Sequence, residues 1–377
     1  MDLTRAATPG FFAAMAVEHA YLRRQAVHRA PTAGDYERRD TLTSLTMGTA
    51  SVLAPFVAER LLGPLTPGRG RFGKALVAGA VGAVVATTVA DRVRRRARRR
   101  GRPEAPTDAA APAVEPHDRV AVVADRTARI GGAAAVAAGG VALGLYWNDR
   151  TRPDALWAHR RLPDLGRGPL ALALAVLGWD FVYYWNHRWM HTSRQAWAYH
   201  VVHHSSEHYN LSTALRQPVA GPVTVVVPYG LMALLGLRPE VIEAARGINL
   251  VYQYWIHTET IRRLGRAEAV WNTPSHHRVH HGSNPRYLDR NHGSILILWD
   301  RWFGTFAEED DAEPVVYGLT DNLDSFDPVV VASRAYVSML RDVAAAPDWR
   351  TRLAYVLRGP GWADRHRAVP VPARAAA

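Results

Sequence analysis

The chain contains no cysteine. That excludes disulfides, zinc–thiolate sites and iron–sulfur clusters, so any bound metal must be held by imidazole and carboxylate. Lysine is almost missing as well: Lys74 is the only one, and the remaining basic charge is arginine. The first forty residues carry charges throughout and lack a cleavable signal pattern. No flavin, haem or nicotinamide fingerprint is found, so redox chemistry on this chain would need electrons from outside. Long apolar runs are few and interrupted, and mean hydropathy lies slightly below zero.

That average conceals segregation. Hydrophobic residues make up 48% of the 377 positions and the net charge is +12, but apolar and arginine-rich blocks alternate. A +12 charge suits either a nucleic-acid footprint or the basic cytoplasmic loops of a membrane protein. The second is favoured, because the densest run (Arg92, Arg94, Arg95, Arg96, Arg98, Arg99, Arg100 and Arg102) directly follows the uncharged stretch Ala75–Ala90. The nucleic-acid reading predicts salt-sensitive DNA association by residues 91–129, and is not adopted.

Apolar segments over Leu42–Ala58, Ala75–Ala90, Ile130–Trp147, Pro169–Trp185, Val219–Leu237 and Val241–Ile256 predict four to six membrane helices. Val219–Leu237 is the longest of them, broken only by Pro222 and Pro228. Placing the arginine run inside leaves residues 186–218 and those from 257 onward on the cytoplasmic side. The expected organisation is a cytoplasmic N-terminal segment over 1–40 and a variable membrane region with an Arg-rich linker over 41–128. A catalytic domain over 129–310 follows, then C-terminal surface helices over 311–377. Within the second of these, residues 101–118 are rich in Ala and Pro and read as linker.

Twelve of the 17 histidines fall between residues 187 and 292. His187 and His191 are spaced H-x-x-x-H. His200, His203 and His204 form H-x-x-H-H, and His277, His280 and His281 repeat it. On a helix, residues three and four apart share a face, so each box can aim two or three imidazoles at one point. Chance at this histidine frequency supplies an H-x-x-H-H far less than once per chain. Eight or more imidazoles exceed what one zinc takes and suit two metals, though imidazole alone does not name the element. Oxidation of an unactivated C–H bond would require a redox metal. A histidine-rich membrane metal-binding protein without catalysis is the non-enzyme alternative.

At these residues the sequence resembles the fatty acid hydroxylase/sterol desaturase superfamily of membrane di-iron enzymes. The likeness is carried by Asp180-Phe181-Val182-Tyr183-Tyr184-Trp185 before His187, by His200-Val201-Val202-His203-His204-Ser205-Ser206-Glu207, by Pro274-Ser275-His276-His277-Arg278-Val279-His280-His281-Gly282, and by Trp299-Asp300-Arg301-Trp302-Phe303-Gly304. The stretch Tyr209-Asn210-Leu211-Ser212-Thr213-Ala214-Leu215-Arg216-Gln217 is similar to the alkylglycerol monooxygenase-like branch.

The resemblance implies an all-α integral membrane bundle with a cytoplasmic, histidine-rich helical cap. Two iron ions would be held by His187, His191, His200, His203, His204, His277, His280 and His281, together with His257 and the adjacent His276. It implies hydroxylation of a fatty acyl, sterol or ether lipid with dioxygen, desaturation being the alternative outcome at the same site. An electron-donor protein or tetrahydrobiopterin would supply electrons. Asp180, inside an apolar segment, is a candidate for orienting a ligand histidine, with a helix-packing hydrogen bond to a neighbour as the other reading. Glu207 and Asp289 are candidates for bonding the outer nitrogens of ligand imidazoles, with helix capping as the other role for Glu207. His208 and His292 are expected outside the ligand set.

Overall fold

A computed structural model describes residues 3–100 and 116–367; the linker expected over 101–118 falls almost wholly outside them. The described residues contain helices and no β-strand. In chain order the helices are α1 (Leu3–Gln25), α2 (Arg38–Leu62), α3 (Gly73–Arg100), α4 (Pro116–Arg150), α5 (Pro153–Trp157), α6 (Pro169–Thr192) and α7 (Arg194–His204). They continue with α8 (Leu231–Leu234), α9 (Pro239–Trp255), α10 (Pro274–His280), α11 (Leu298–Phe303), α12 (Pro328–Ala345), α13 (Trp349–Leu357) and α14 (Pro360–His366). Several begin with proline in the first turn, where its fixed φ fits and its missing N–H costs nothing.

Among the described residues, α2, α3 and α4 are long and apolar enough to cross a membrane by length and composition. Their large apolar side chains, such as Val52, Phe56, Leu61, Val81 and Val85, are exposed. A contiguous exposed apolar face of that kind belongs against lipid, and the protein is a membrane protein. Helices α6 and α9 form over expected segments but are not among the three. Asp180, Asn186 and the histidines dilute α6, and α9 carries Glu240, Glu243 and Arg246.

The expected span over Val219–Leu237 is overturned. That segment is irregular apart from a single 3-10 turn and the four-residue α8. Pro222 and Pro228 remove backbone donors, and Gly230 and Gly236 lower helix propensity. The freed polar groups find other partners: Trp147 donates to the Val226 carbonyl at 2.8 Å, Trp189 to Val225 at 3.2 Å, and the Val227 N–H donates to Asn186 Oδ1 at 3.2 Å.

The site is positioned by α6 and α9, which pack together through Ala171, Ala175 and Trp179 against Val241, Ile242 and Ala245. Trp179 stacks on Tyr229 at 3.8 Å. On the other side α12 and α13 brace α7, with Arg194 paired to Asp342 at 2.6 Å.

Candidate metal centre

Helix α7 ends in the H-x-x-H-H box and α10 ends in its repeat, so each short helix presents its histidines within one turn. Residue 204 lies one helical position beyond 203, roughly 100° around the axis. Neighbouring histidines therefore diverge, and the boxes are split between two centres. One group is His187, His191, His200, His204 and His280; the other is His203, His257, His277 and His281. All nine are buried, and within each group the ligand atoms lie within 4.8 Å of one another. The groups are adjacent: the rings of His204 and His281 are 4.4 Å apart, and those of His277 and His280 are 5.1 Å apart.

The outer nitrogens are anchored first. His187 Nδ1 donates to the His292 carbonyl at 2.8 Å, His280 Nδ1 to Arg290 at 2.9 Å, His257 Nδ1 to Gln253 at 2.7 Å and His203 Nδ1 to Arg216 at 3.3 Å. A carbonyl can only accept, so these four histidines carry their proton on Nδ1 and a lone pair on Nε2. Yet His203 and His257 Nε2 face each other at 3.1 Å. Two lone pairs at that separation repel unless a cation lies between them. A proton is disfavoured there: burial pushes the imidazole of His257 well below its ordinary range and that of His203 to about 4. Further Nε2 pairs are His187–His200 at 2.8 Å, His204–His280 at 3.1 Å and His257–His277 at 2.9 Å. Nitrogens bound about 2.1 Å from one shared ion would stand roughly 3.0–3.4 Å from each other. The donor set thus fits two metal ions.

The remaining predicted residues are placed differently. His276 is buried but outside both groups, its ring edge-on to Phe306 and its Nδ1 unpartnered. One position before His277 on α10, it points off the shared face, which removes it from the expected ligand set.

Asp180 contacts no histidine. Its carboxylate accepts from the Ile295 N–H at 2.7 Å, the Leu296 N–H at 3.1 Å and Trp299 Nε1 at 2.8 Å, tying α6 to the start of α11. These contacts match the packing reading of Asp180 and place it away from the ligand histidines. Glu207 is exposed on the turn after α7 and bonds no imidazole; no helix begins there for it to cap. Asp289 does reach a ligand candidate, lying 3.4 Å from His191 Nδ1. His208 bonds the Asp35 carbonyl and stays outside, whereas the ring of His292 sits 4.9 Å from that of His191, at the edge of the first group.

Several buried supports carried no role in the sequence reading. Asp300 accepts the N–H groups of His292 and Gly293, each at 2.7 Å, and the Thr305 hydroxyl at 2.7 Å. Burial lifts its carboxyl to about 6. The Trp299-Asp300 motif was visible, but nothing in it tells which backbone it holds. Arg278 grips Glu309 at 2.7 Å through both Nε and Nη2, and donates to the Thr258 and Ile261 carbonyls beside His257.

A fatty acid hydroxylase family model matches residues 172–305, the stretch from α6 through α11. Over 208 residues the chain is 45% identical to an alkylglycerol monooxygenase of Homo sapiens, covering 55% of this chain and 46% of that protein. It is 47% identical over 189 residues to the enzyme of that name from Danio rerio, covering 50% and 42%. An ornithine lipid hydroxylase of Rhizobium tropici is 23% identical over 159 residues, covering 42% and 48%. The match thus spans about half the length of these relatives. No solved structure matches.

Proposed function

This chain belongs to the fatty acid hydroxylase superfamily, in its alkylglycerol monooxygenase-like branch, and from that premise we propose that it is a membrane monooxygenase hydroxylating a lipid C–H bond. The overall reaction takes the C–H bond, dioxygen, two electrons and two protons to an alcohol and water. The observation that carries the reading is the pair of adjacent buried histidine groups, in which Nδ1-protonated His203 and His257 set their Nε2 lone pairs face to face.

Iron suits the all-imidazole donor set and, unlike zinc, is redox-active. Bound there, an iron pair would supply dioxygen activation. The protein's own part is to fix the imidazoles from outside, through the His292, Arg290, Gln253 and Arg216 carbonyls, so that no ring turns when the ligand set changes. Burial keeps water from competing in the site. Electrons come from a separate reductase or from a pterin such as tetrahydrobiopterin. The substrate class is a lipid, in keeping with the printed activities of the relatives, and it reaches the site from the bilayer. We place the chain as a multi-pass membrane protein of the cell membrane with the histidine site on the cytoplasmic side, where the arginines ending α3 would lie.

The test is elemental analysis of detergent-solubilised protein beside a His203→Ala/His204→Ala double variant, which removes one candidate ligand from each group. The expected result is about two irons per chain in the wild type and neither in the variant, followed by loss of an oxidised lipid in expressing cells. A well-folded wild type without metal would sink the proposal.

A further inference from the structure

The two histidine groups are supported from different parts of the chain. Around the first, the outer contacts come from the 289–292 segment: the His292 carbonyl for His187, the Arg290 carbonyl for His280 and the Asp289 carboxylate beside His191. That segment lies inside the stretch the family model matches. Around the second group, the outer contact of His203 and the residue next to His257 lead instead to the first forty residues.

The path from His203 is short. Its Nδ1 is held by the Arg216 carbonyl at 3.3 Å. Arg216 is fully buried, and its guanidinium donates to Asp40 Oδ1 at 2.8 Å and to the Ser205 hydroxyl at 2.9 Å. Asp40, in the first turn of α2, also accepts the Ser206 hydroxyl at 2.7 Å. One carboxylate therefore grips both the residue that fixes His203 and the turn that ends α7.

The path from His257 is equally short. The next residue, Thr258, donates its hydroxyl to Glu18 on α1, and Glu18 also accepts the Leu211 N–H at 2.8 Å and the Tyr36 hydroxyl at 2.6 Å. Asp40 and Glu18 are both buried in the protein. A buried carboxylate must be paired to be tolerated, and here the partners include Arg216, whose carbonyl holds His203, and Thr258, which follows His257.

We propose that Asp40 and Glu18 are positioning residues for the second metal, so that α1 and α2 are working parts of that half of the centre. The inference rests on the dimetal reading above. The first metal is touched less directly: neither carboxylate bonds His187, His191, His200, His204 or His280, and the link to that group is the turn after His204 that Asp40 holds through Ser206.

The test uses the full chain in nanodiscs, reading metal per chain and the rate of release to a chelator. Cobalt(II) loading adds a spectrum that differs between a four- and a five-imidazole group. Asp40→Asn and Glu18→Gln should each bind about one metal where the wild type binds about two, or release one of the two at least about tenfold faster, the loss expected for an outer-shell change. The five-imidazole cobalt bands and the helical circular dichroism should stay unchanged. If Asp40→Asn does not fold, Thr258→Val, which removes only the hydroxyl donated to Glu18, reads the same half-site. Retention of both metals at wild-type release rates, or equal loss of both from a folded variant, overturns the proposal while leaving the dimetal reading intact. A wild type that binds no metal overturns both.

Discussion

Asp300 accepts the backbone N–H of His292 at 2.7 Å, and the carbonyl of that same His292 accepts the Nδ1–H of His187 at 2.8 Å. A carboxylate on α11 thereby sets the angle of an imidazole on α6 through one residue of intervening loop. It is the counterpart, at the first histidine group, of what Asp40 does at the second.

Replacing Asp300 with Ala leaves two buried N–H groups and the Thr305 hydroxyl without their acceptor. Unpartnered buried donors cost about 1–3 kcal/mol each, so unfolding stability should fall by roughly 3 kcal/mol. Metal affinity at the first group should fall about 10- to 100-fold as His187 loses its anchor. Thermal unfolding and metal titration of the same preparation check both.

Acid should destabilise the metal-free protein. Burial holds His200, His203 and His204 on α7, and His277 and His280 on α10, below their ordinary range. Below about pH 6.5 the unfolded chain therefore binds more protons, and stability falls as pH falls, by about 1.4 kcal/mol per unit for each histidine. Asp300 acts in the opposite sense. Its carboxyl titrates near 6 in the folded chain against 3.8 for the free group, so its contribution grows as pH drops through that window. Burial raises the Glu18 carboxyl in the same sense as Asp300, but the histidines outnumber these carboxyls, and the melting temperature should be lower at pH 5.5 than at pH 7.5. An unchanged or higher value at pH 5.5 would contradict the neutral-imidazole assignment.

The pair Arg352–Asp91 joins α13 to α3, with Arg352 Nη1 2.5 Å from Asp91 Oδ2 and both side chains buried. Arg352→Ala leaves Asp91 with Arg94 as its remaining cationic partner and should cost about 3–5 kcal/mol. Arg246→Ala breaks an exposed pair with Glu243 on α9 and should change stability by less than about 1 kcal/mol. Melting curves of the two variants in one detergent give the comparison.

Two glycines in helices should respond oppositely to alanine. A Cβ at Gly144 would stand 2.1 Å from the Val223 carbonyl, where α4 passes the 3-10 turn at Gly221–Val223; at Gly10 on α1 it would meet nothing within 4 Å. Gly144→Ala should therefore lower the melting temperature, while Gly10→Ala should raise stability by about 0.5–1 kcal/mol through helix propensity alone.

The helical class and the three histidine boxes are legible in the chain alone, because three- and four-residue spacing is a local property of a helix and needs no partner to be read. His257 lies outside the boxes, and only the family resemblance points to it. Which imidazole meets which depends on packing. His203 and His204 are neighbours in the chain, but helical rotation sends them to different groups, completed by residues 54 and 76 positions away.

The same dependence on packing removed His276, Glu207 and Asp180 from the site and brought in Asp300, Arg216, Asp40 and Glu18. A buried carboxylate has the same letter whether it holds a metal ligand, a loop or nothing. Its role is set by the donors that surround it, and those donors come from distant segments. The segment 219–237 departs from the expected span for a related reason: its apolar composition signals burial, while its prolines and glycines decide the backbone. Composition reports that a segment avoids water, and only the fold specifies what it meets instead.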